Sequence, residues 1–358
     1  MNASQPNPRP NGRTYPVRVG GVTIGGGAPI VVQSMIKTRT DDVAGTVRQI
    51  QRLARAGCEL VRVAVPDTRA AAALPEIRSR VKVPLVADIH FDHRLALAAI
   101  RAGFDKVRIN PGNIGPIWKV QEVIRAAHQT GVAIRVGVNA GSIEKKVLAR
   151  HGHPTVAALL ASLDQALEPF EQLGFKALVL SAKTTSFPDT VRVYQELARR
   201  YPYPLHLGVT EAGLPLAAAV RSAAALTPLL TQGIGDTVRI SMTGDPVLEV
   251  AAAFELLATL GLRHHGPVVY SCPTCGRTRI DVARLTQKVQ RAVRRFPKPY
   301  RIAVMGCVVN GPGEAREADY GIAGGAGKGV VFARGKVIRT CRESELLSAL
   351  LAAIAEEA

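Results

Sequence analysis

A chain of 358 residues with 46 lysines and arginines against 28 acidic residues exceeds the usual size of one small domain, and its formal charge of +18 favours anionic partners. Aromatic residues make up only 4%, which leaves little material for stacking on nucleic-acid bases, and five cysteines are too sparse for a disulfide framework. The polar N-terminal stretch MNASQPNPRPNGRTYP has no apolar signal core and no segment reaches the length of a membrane span, so a cytoplasmic setting, no membrane partner and a disordered arm over 1–15 are expected.

From about residue 28 to 262, short runs rich in Val, Ile and Leu alternate with longer stretches of helical apolar spacing. The strand-like runs are 29–34, 59–65, 84–89, 106–110, 132–139, 176–182, 204–209 and 236–241. Helical stretches such as 42–56 and 246–260 lie between and after them; in the latter Val247, Val250, Phe254 and Leu257 share one face. Strand–helix alternation implies parallel strands with crossover helices. Eight such units fit an α/β fold of the TIM (β/α)8 type, here over 16–264, with an open doubly wound sheet as the alternative. After Arg263–Gly266 cysteines and glycines enter and the alternation stops. Helices are predicted over 280–296 and 342–357 and strands over 301–305 and 329–339, which makes 265–358 a small α+β domain.

A barrel of this kind builds its active site at the C-terminal strand ends. Read in order, those ends carry Arg62; Asp88 and His90; Arg108 and Asn110; Arg135, Asn139 and Ser142; Ser181 and Lys183; His206 and Glu211; Arg239 and Ser241. Charges inside apolar strands are costly to bury unless paired or used. Four strands carry an arginine and another ends in lysine, and a ring of five cations round one mouth suits a diphosphate. The alternative for any single arginine is a structural ion pair with Asp88, Glu211 or another acid. The Gly324–Gly329 stretch is not a P-loop, since Gly329 stands where Ser or Thr is needed. The Gly25–Gly27 run reads as a turn, and His90, Asp92 and His93 read as polar strand-end residues before they read as a metal site.

Cys272 and Cys275 form a C-x-x-C motif at the start of the second domain, and Cys307 follows at a strand end. Thiolates so spaced suit zinc or an iron–sulfur cluster, and spacing alone does not choose between them. Cys58 reads as structural, and Cys341 sits beyond a predicted strand beside a helix start. Three firm thiolates leave a fourth position open. Glu314, past a tight Gly-Pro-Gly turn, is a harder and more labile ligand for it, or else a solvated loop acid.

Taken together, Cys272-x-x-Cys275, Met-Gly-Cys307 and Asn310-Gly-Pro-Gly-Glu314 resemble the 4-hydroxy-3-methylbut-2-enyl diphosphate synthase family. The barrel motifs agree: Gln33-Ser34-Met35, Asp88-Ile-His90, Arg108-Ile-Asn110-Pro-Gly-Asn, Arg135-Val-Gly-Val-Asn139, Ser181-Ala-Lys183, His206 to Gly213, and Arg239-Ile-Ser241. The resemblance runs from about residue 16 to 340 and matches the compact two-domain form. It implies a [4Fe–4S] cluster on Cys272, Cys275, Cys307 and Glu314. It implies 2-C-methyl-erythritol 2,4-cyclodiphosphate as substrate, with reductive ring opening and loss of water as the reaction. Arg62, Arg108, Arg135, Asn139 and Lys183 are then expected to hold the diphosphate, joined at the substrate site by His90, Asn110, Arg239 and Ser241. Glu211 is expected near the reacting carbons, and Glu314 counts with it among the reactive groups. Flavodoxin or ferredoxin as electron donor and a head-to-tail homodimer are further expectations. The stretch Ile36-Lys-Thr-Arg-Thr departs from the family pattern, and Cys341 lies outside it. Two other classes compete: a nucleic-acid-binding protein with a zinc ribbon, and a barrel lyase forming a Schiff base on Lys183.

Overall fold

The protein, represented by a computed structural model, is described here for residues 14–356 apart from 140, 142, 144, 185, 211, 308–316 and 326. Its chain divides into two compact units, Met1–Leu256 and Leu257–Ala358.

The first unit opens with an antiparallel hairpin, β1 (Val17–Val19) and β2 (Val22–Ile24). Eight parallel strands follow: β3 (Val31–Met35), β4 (Leu60–Ala64), β5 (Leu85–Asp88), β6 (Lys106–Ile109), β7 (Ala133–Asn139), β8 (Leu178–Lys183), β9 (His206–Leu207) and β10 (Thr237–Val238). They hydrogen-bond in the order β8-β7-β6-β5-β4-β3-β10-β9, and a parallel bridge between Leu180 and Leu205 brings the two ends of the sheet together. The eight-stranded barrel expected from the sequence is thus present. β9 and β10 are only two residues long, shorter than the apolar runs around them.

Local chemistry explains the alternation. Strands rich in Val, Ile and Leu are buried along nearly their whole length, as strands with cover on both sides must be. Asp42, Asp67 and Asp92 each end a loop and accept a backbone N–H of the first helical turn, which starts the helices Val43–Arg55, Thr68–Ser79 and His93–Arg101. The barrel floor is apolar: Val17, Val19 and Ile24 of the hairpin pack with Val31, Leu60, Val86, Ala133 and Val179. Just before the hairpin, Thr14 is buried and its hydroxyl donates to Asp236 Oδ1 at 2.7 Å.

The second unit is a five-stranded sheet in the order β11-β12-β13-β14-β15, with β11 (Val268–Ser271), β12 (Arg301–Met305), β13 (Tyr320–Gly325), β14 (Lys328–Ala333) and β15 (Lys336–Arg342). The first three are mutually parallel and the last two antiparallel. Helices Val282–Val293 and Leu346–Glu356 supply Val289, Val293, Leu350 and Ile354 to a core shared with Ile302, Val304, Ile322 and Val331. The single strand predicted over 329–339 is instead two strands of a hairpin. Arg334 (φ 48°) and Gly335 (φ 76°) both take left-handed conformations at its two-residue turn.

Candidate active site at the barrel mouth

Register sets the site. Asp88 pairs with Arg108 across β5 and β6, and Arg108 pairs with Arg135 across β6 and β7, so an acid and two arginines share one level of the barrel wall. The Asp88 carboxylate accepts from Arg62 Nη2 at 2.6 Å and from Arg108 Nη1 at 3.3 Å, while His90 Nε2 lies 3.1 Å from its Oδ2. Burial alone works upward on that carboxyl. Arg62, His90 and Arg108 together outweigh it and hold Asp88 well below the usual carboxylate range. Arg108 also donates to the Gly137 carbonyl at 3.3 Å. A Cβ on Gly137 would stand 3.1 Å from Arg108 Nε and 2.9 Å from Ser181 Oγ, so glycine is what lets the guanidinium cross the strand.

A second buried carboxylate holds the other side of the mouth. Glu249, in the first turn of helix Pro246–Thr259, grips Arg239 with both oxygens, Nε to Oε2 at 3.0 Å and Nη2 to Oε1 at 3.1 Å. Ser34 Oγ donates to Oε2 at 2.8 Å, the Met242 N–H donates to Oε1 at 3.3 Å, and Lys37 Nζ lies 3.2 Å from Oε1. Lys37 belongs to the stretch that departs from the family pattern, and its ammonium also donates to the Met242 and Gly244 carbonyls. Burial pushes Glu249 upward, but Arg239, then Ser34 and Lys37, bring it below its ordinary range. Sequence reasoning passed over Glu249; the available signal was an acid in the first turn of an otherwise apolar helix that follows an arginine-bearing strand. Glu249→Gln keeps the shape and removes the charge facing Arg239 and Lys37. It is expected to destabilise the fold by about 2–4 kcal/mol and to raise KM more than it lowers kcat, as read by thermal melts and steady-state kinetics. An unchanged melt and KM would show that Arg239 does not depend on it.

Among the described residues the remaining cations have no such acid. Arg135 is 2% exposed, and its Nε and Nη1 find no hydrogen-bond partner among the described residues. Burial, then Arg62 and Arg108, disfavour its charge. Lys183 is buried at the end of β8, beside its Cα partner Asn139, and forms no ion pair among the described residues. Burial, then Arg135 and Arg239, push its amine well below the ordinary lysine range. Lys106, two residues before Arg108, is a further buried cation that the strand-end reading missed because it lies at the start of its strand.

Among the described residues six cations, Arg62, Lys106, Arg108, Arg135, Lys183 and Arg239, therefore face two carboxylates, Asp88 and Glu249, in a barrel interior where all eight side chains are at most 12% exposed. The structural alternative holds for Arg62, Arg108 and Arg239, which are paired, and the rest have no such acid among the described residues. Of the other residues expected at the site, His90 stands exposed at the rim, Asn110 is buried ahead of the short helix Pro111–Ile114, and Ser241 is half-buried after β10. Glu211 and Ser142 lie outside the described residues. His93 lies beside Glu122 and Asp92, and no group of three His, Cys, Asp or Glu side chains suited to a metal occurs among the described residues.

In the second unit, Cys272 follows β11 and Cys307 comes two residues after β12, at the C-terminal ends of neighbouring parallel strands. Both are half-buried free thiols, whereas Cys275 is exposed. The Gly306 N–H donates to Cys272 Sγ at 3.2 Å, and Arg277, by its backbone and then its side chain, lowers the Cys275 thiol below the ordinary cysteine range. A thiol that sheds its proton easily, as Cys275 does, and one that receives an N–H bond, as Cys272 does, are fitting donors for iron, although Cys272, Cys275 and Cys307 are not gathered into a closed site. Glu314 lies outside the described residues. Cys58 is buried, its thiol pushed up to about 12 by burial, as a structural cysteine should be. Cys341 lies within β15 and packs against the core of its own unit.

A closed ring of parallel strands with excess cation buried at its mouth defines an α/β-barrel enzyme for an anionic substrate. The chain belongs to the GcpE family: residues 14–254 match the GcpE TIM-barrel domain and residues 268–356 match the GcpE protein C-terminal domain. It is 49% identical over 339 residues to the 4-hydroxy-3-methylbut-2-en-1-yl diphosphate synthase (flavodoxin) of Thermodesulfovibrio yellowstonii, across 95% of this chain and 97% of that one. The protein of the same description from Caldanaerobacter subterraneus is 50% identical across 94% of this chain and 95% of its own length. That from Geobacter sulfurreducens is 49% identical across 96% and 97%.

Proposed function

We propose that the chain catalyses the reductive ring opening and dehydration of 2-C-methyl-D-erythritol 2,4-cyclodiphosphate to (E)-4-hydroxy-3-methylbut-2-enyl diphosphate, a step of isoprenoid biosynthesis. The observation that carries this reading is the formal excess of four positive charges buried at the barrel mouth among the described residues, a charge that an apolar interior retains only if an anion offsets it. Arg62, Arg108, Arg135, Asn139 and Lys183 hold the diphosphate, with His90, Asn110, Arg239 and Ser241 about it. Asp88 and Glu249 are the clamps that aim Arg62, Arg108 and Arg239. Glu211 serves the reacting carbons as proton donor or electrostatic partner.

The reaction takes up two electrons and two protons and releases one water. A [4Fe–4S] cluster held by Cys272, Cys275, Cys307 and Glu314 supplies the electrons and a Lewis-acidic iron when bound. Lys183 and the arginines neutralise the substrate, so electrons enter against less negative charge. Residues 16–264 form the substrate domain and 265–358 the cluster domain. A flavodoxin, the donor named for the relatives, or a ferredoxin delivers electrons. The protein acts in the cytoplasm as a head-to-tail homodimer; among the described residues no helix is long and apolar enough to cross a membrane.

A buried lysine with a lowered pKa also suits a Schiff-base lyase, but identity near 50% along nearly the whole chain to synthases favours the reductive reading. Protein purified without oxygen is expected to hold on the order of four iron and four sulfide per chain, and Cys307→Ser to lose most of both. Zinc in place of iron, with no sulfide after anaerobic reconstitution, would remove the electron path and this reading with it.

A further inference from the structure

Below the phosphate ring lie polar atoms that the proposed chemistry does not use. Gln33 Nε2 and Oε1, Lys106 Nζ and His206 Nε2 are buried without hydrogen-bond partners among the described residues, as are Nε and Nη1 of Arg135 above them. Lys106 is the sharpest case. Its Cα partners are Val86 and Ala133, both in the apolar floor, so its stem rises from that floor toward the mouth.

The charges around it are mostly of its own sign. Arg62 faces it from β4, Arg135 from β7 and His206 from β9, and Arg108, two residues on along its own strand, points to the same side. Among the described residues the acids of the interior are engaged elsewhere, Asp88 with Arg62 and Arg108, and Glu249 with Arg239 and Lys37. Asp105, its chain neighbour, accepts from the Leu85 N–H. Burial first, then Arg135 and Arg62, push the Lys106 amine well below the ordinary lysine range. Lys106 and Arg135 are diagonal neighbours on adjacent strands, a separation that long side chains span. An uncharged amine can accept a hydrogen bond there, whereas an ammonium cannot.

We propose that Lys106 is an uncharged amine while the mouth carries no anion, and that it takes a proton from solvent when a polyanion settles on the arginines above it. Ligand binding and protonation of Lys106 are then one event. No electrons move, and the proton passes from buffer to Nζ. The inference rests on the reading of the mouth as a diphosphate site. A bound diphosphate reverses the sign of the field at Nζ, so a charge that burial and neighbouring arginines had opposed becomes favourable.

The test is calorimetric titration of the oxidised holoenzyme with the cyclic diphosphate, without reductant, at about pH 8 in two buffers of different ionisation enthalpy. Each phosphorus of that ligand bears one strongly acidic group, so protons counted near neutrality belong to the protein. Wild type is expected to take up on the order of one proton more than Lys106→Met. Lys183 and His206 also titrate, and His206 feels Lys106, so the count is repeated on His206→Gln, which is expected to keep the extra proton; its loss there would assign the proton to His206 and overturn the proposal. Equal uptake in wild type and Lys106→Met overturns the proposal, while no binding at all defeats the diphosphate reading and the proposal together.

A second readout needs no ligand. The unfolded lysine is protonated up to about pH 10.5 and the folded one is not, so wild-type stability relative to Lys106→Met rises with pH below that value. A melting difference that stays flat as pH rises from about 7 to 9.5 also overturns it. Methionine matches the lysine stem in length and leaves no buried charge, so the variant is expected to fold.

Discussion

Replacing Arg135 by methionine is expected to give a more stable protein with almost no activity. The two effects have separate causes. Arg135 is buried and makes no ion pair among the described residues, and its charge is opposed by burial and by Arg62 and Arg108. An apolar side chain of similar length removes that cost, and stabilisation of about 1–3 kcal/mol follows from replacing buried charge by packing. For a domain of this size that raises Tm by roughly 2–4 °C per kcal/mol. Activity moves the other way. Losing one buried, charge-assisted contact to a phosphate costs about 3–4 kcal/mol, or on the order of 10²–10³ in kcat/KM. Arg135→Lys is expected to recover little, because a point charge does not replace a planar fork. Melting curves and steady-state kinetics on one preparation read both effects. A fall in Tm of several degrees would mean that Arg135 is a structural residue, and its assignment to the substrate would lose its basis.

How much of this was legible in the sequence depended on the range of the interactions. The barrel strands announced themselves because parallel strands buried on both sides are continuous apolar runs, and Asp42, Asp67 and Asp92 marked the helix starts by local capping. β13, with the sequence Tyr-Gly-Ile-Ala-Gly-Gly, did not read as a strand, since glycine has little intrinsic strand preference. Its glycines serve packing: a Cβ on Gly321 would stand 2.1 Å from the Phe332 ring, and one on Gly324 would stand 2.4 Å from Ile280. The hairpin β14–β15 was hidden because an arginine occupies a left-handed turn position that ordinarily signals itself by Asn or Gly. At the mouth the cations were plain as residue types at strand ends. Their partners were not, because the grip of Glu249 on Arg239 joins a helix to a strand end through side-chain geometry that no spacing rule encodes. Lys106 stood in a recognised strand, yet only the register with Val86 and Ala133 reveals that it points inward.

Replacing Asp88 by asparagine is expected to be the most destabilising single change at the mouth, and it complements the Arg135 result. Asparagine keeps the volume but leaves Arg62 and Arg108 buried without the charge that now receives them at 2.6 and 3.3 Å. Breaking a buried pair from one side costs about 3–5 kcal/mol, a loss of roughly 10 °C in Tm at this size. The pH dependence follows from the direction of the Asp88 shift. Its folded pKa lies well below its unfolded value of about 3.9, so its contribution is complete above that value and is lost as pH falls through the folded pKa. Wild type should therefore lose stability on acidification through that window more steeply than Asp88→Asn. Parallel slopes would mean that the carboxylate is not held by the arginines. If one field governs the whole mouth, the double variant Asp88→Asn with Arg135→Met must be more stable than the sum of the single effects, since each arginine removed relieves those left unpaired. Strict additivity would mean that the Asp88 clamp and Arg135 do not share that field, and the excess positive charge could not then be treated as a single binding feature.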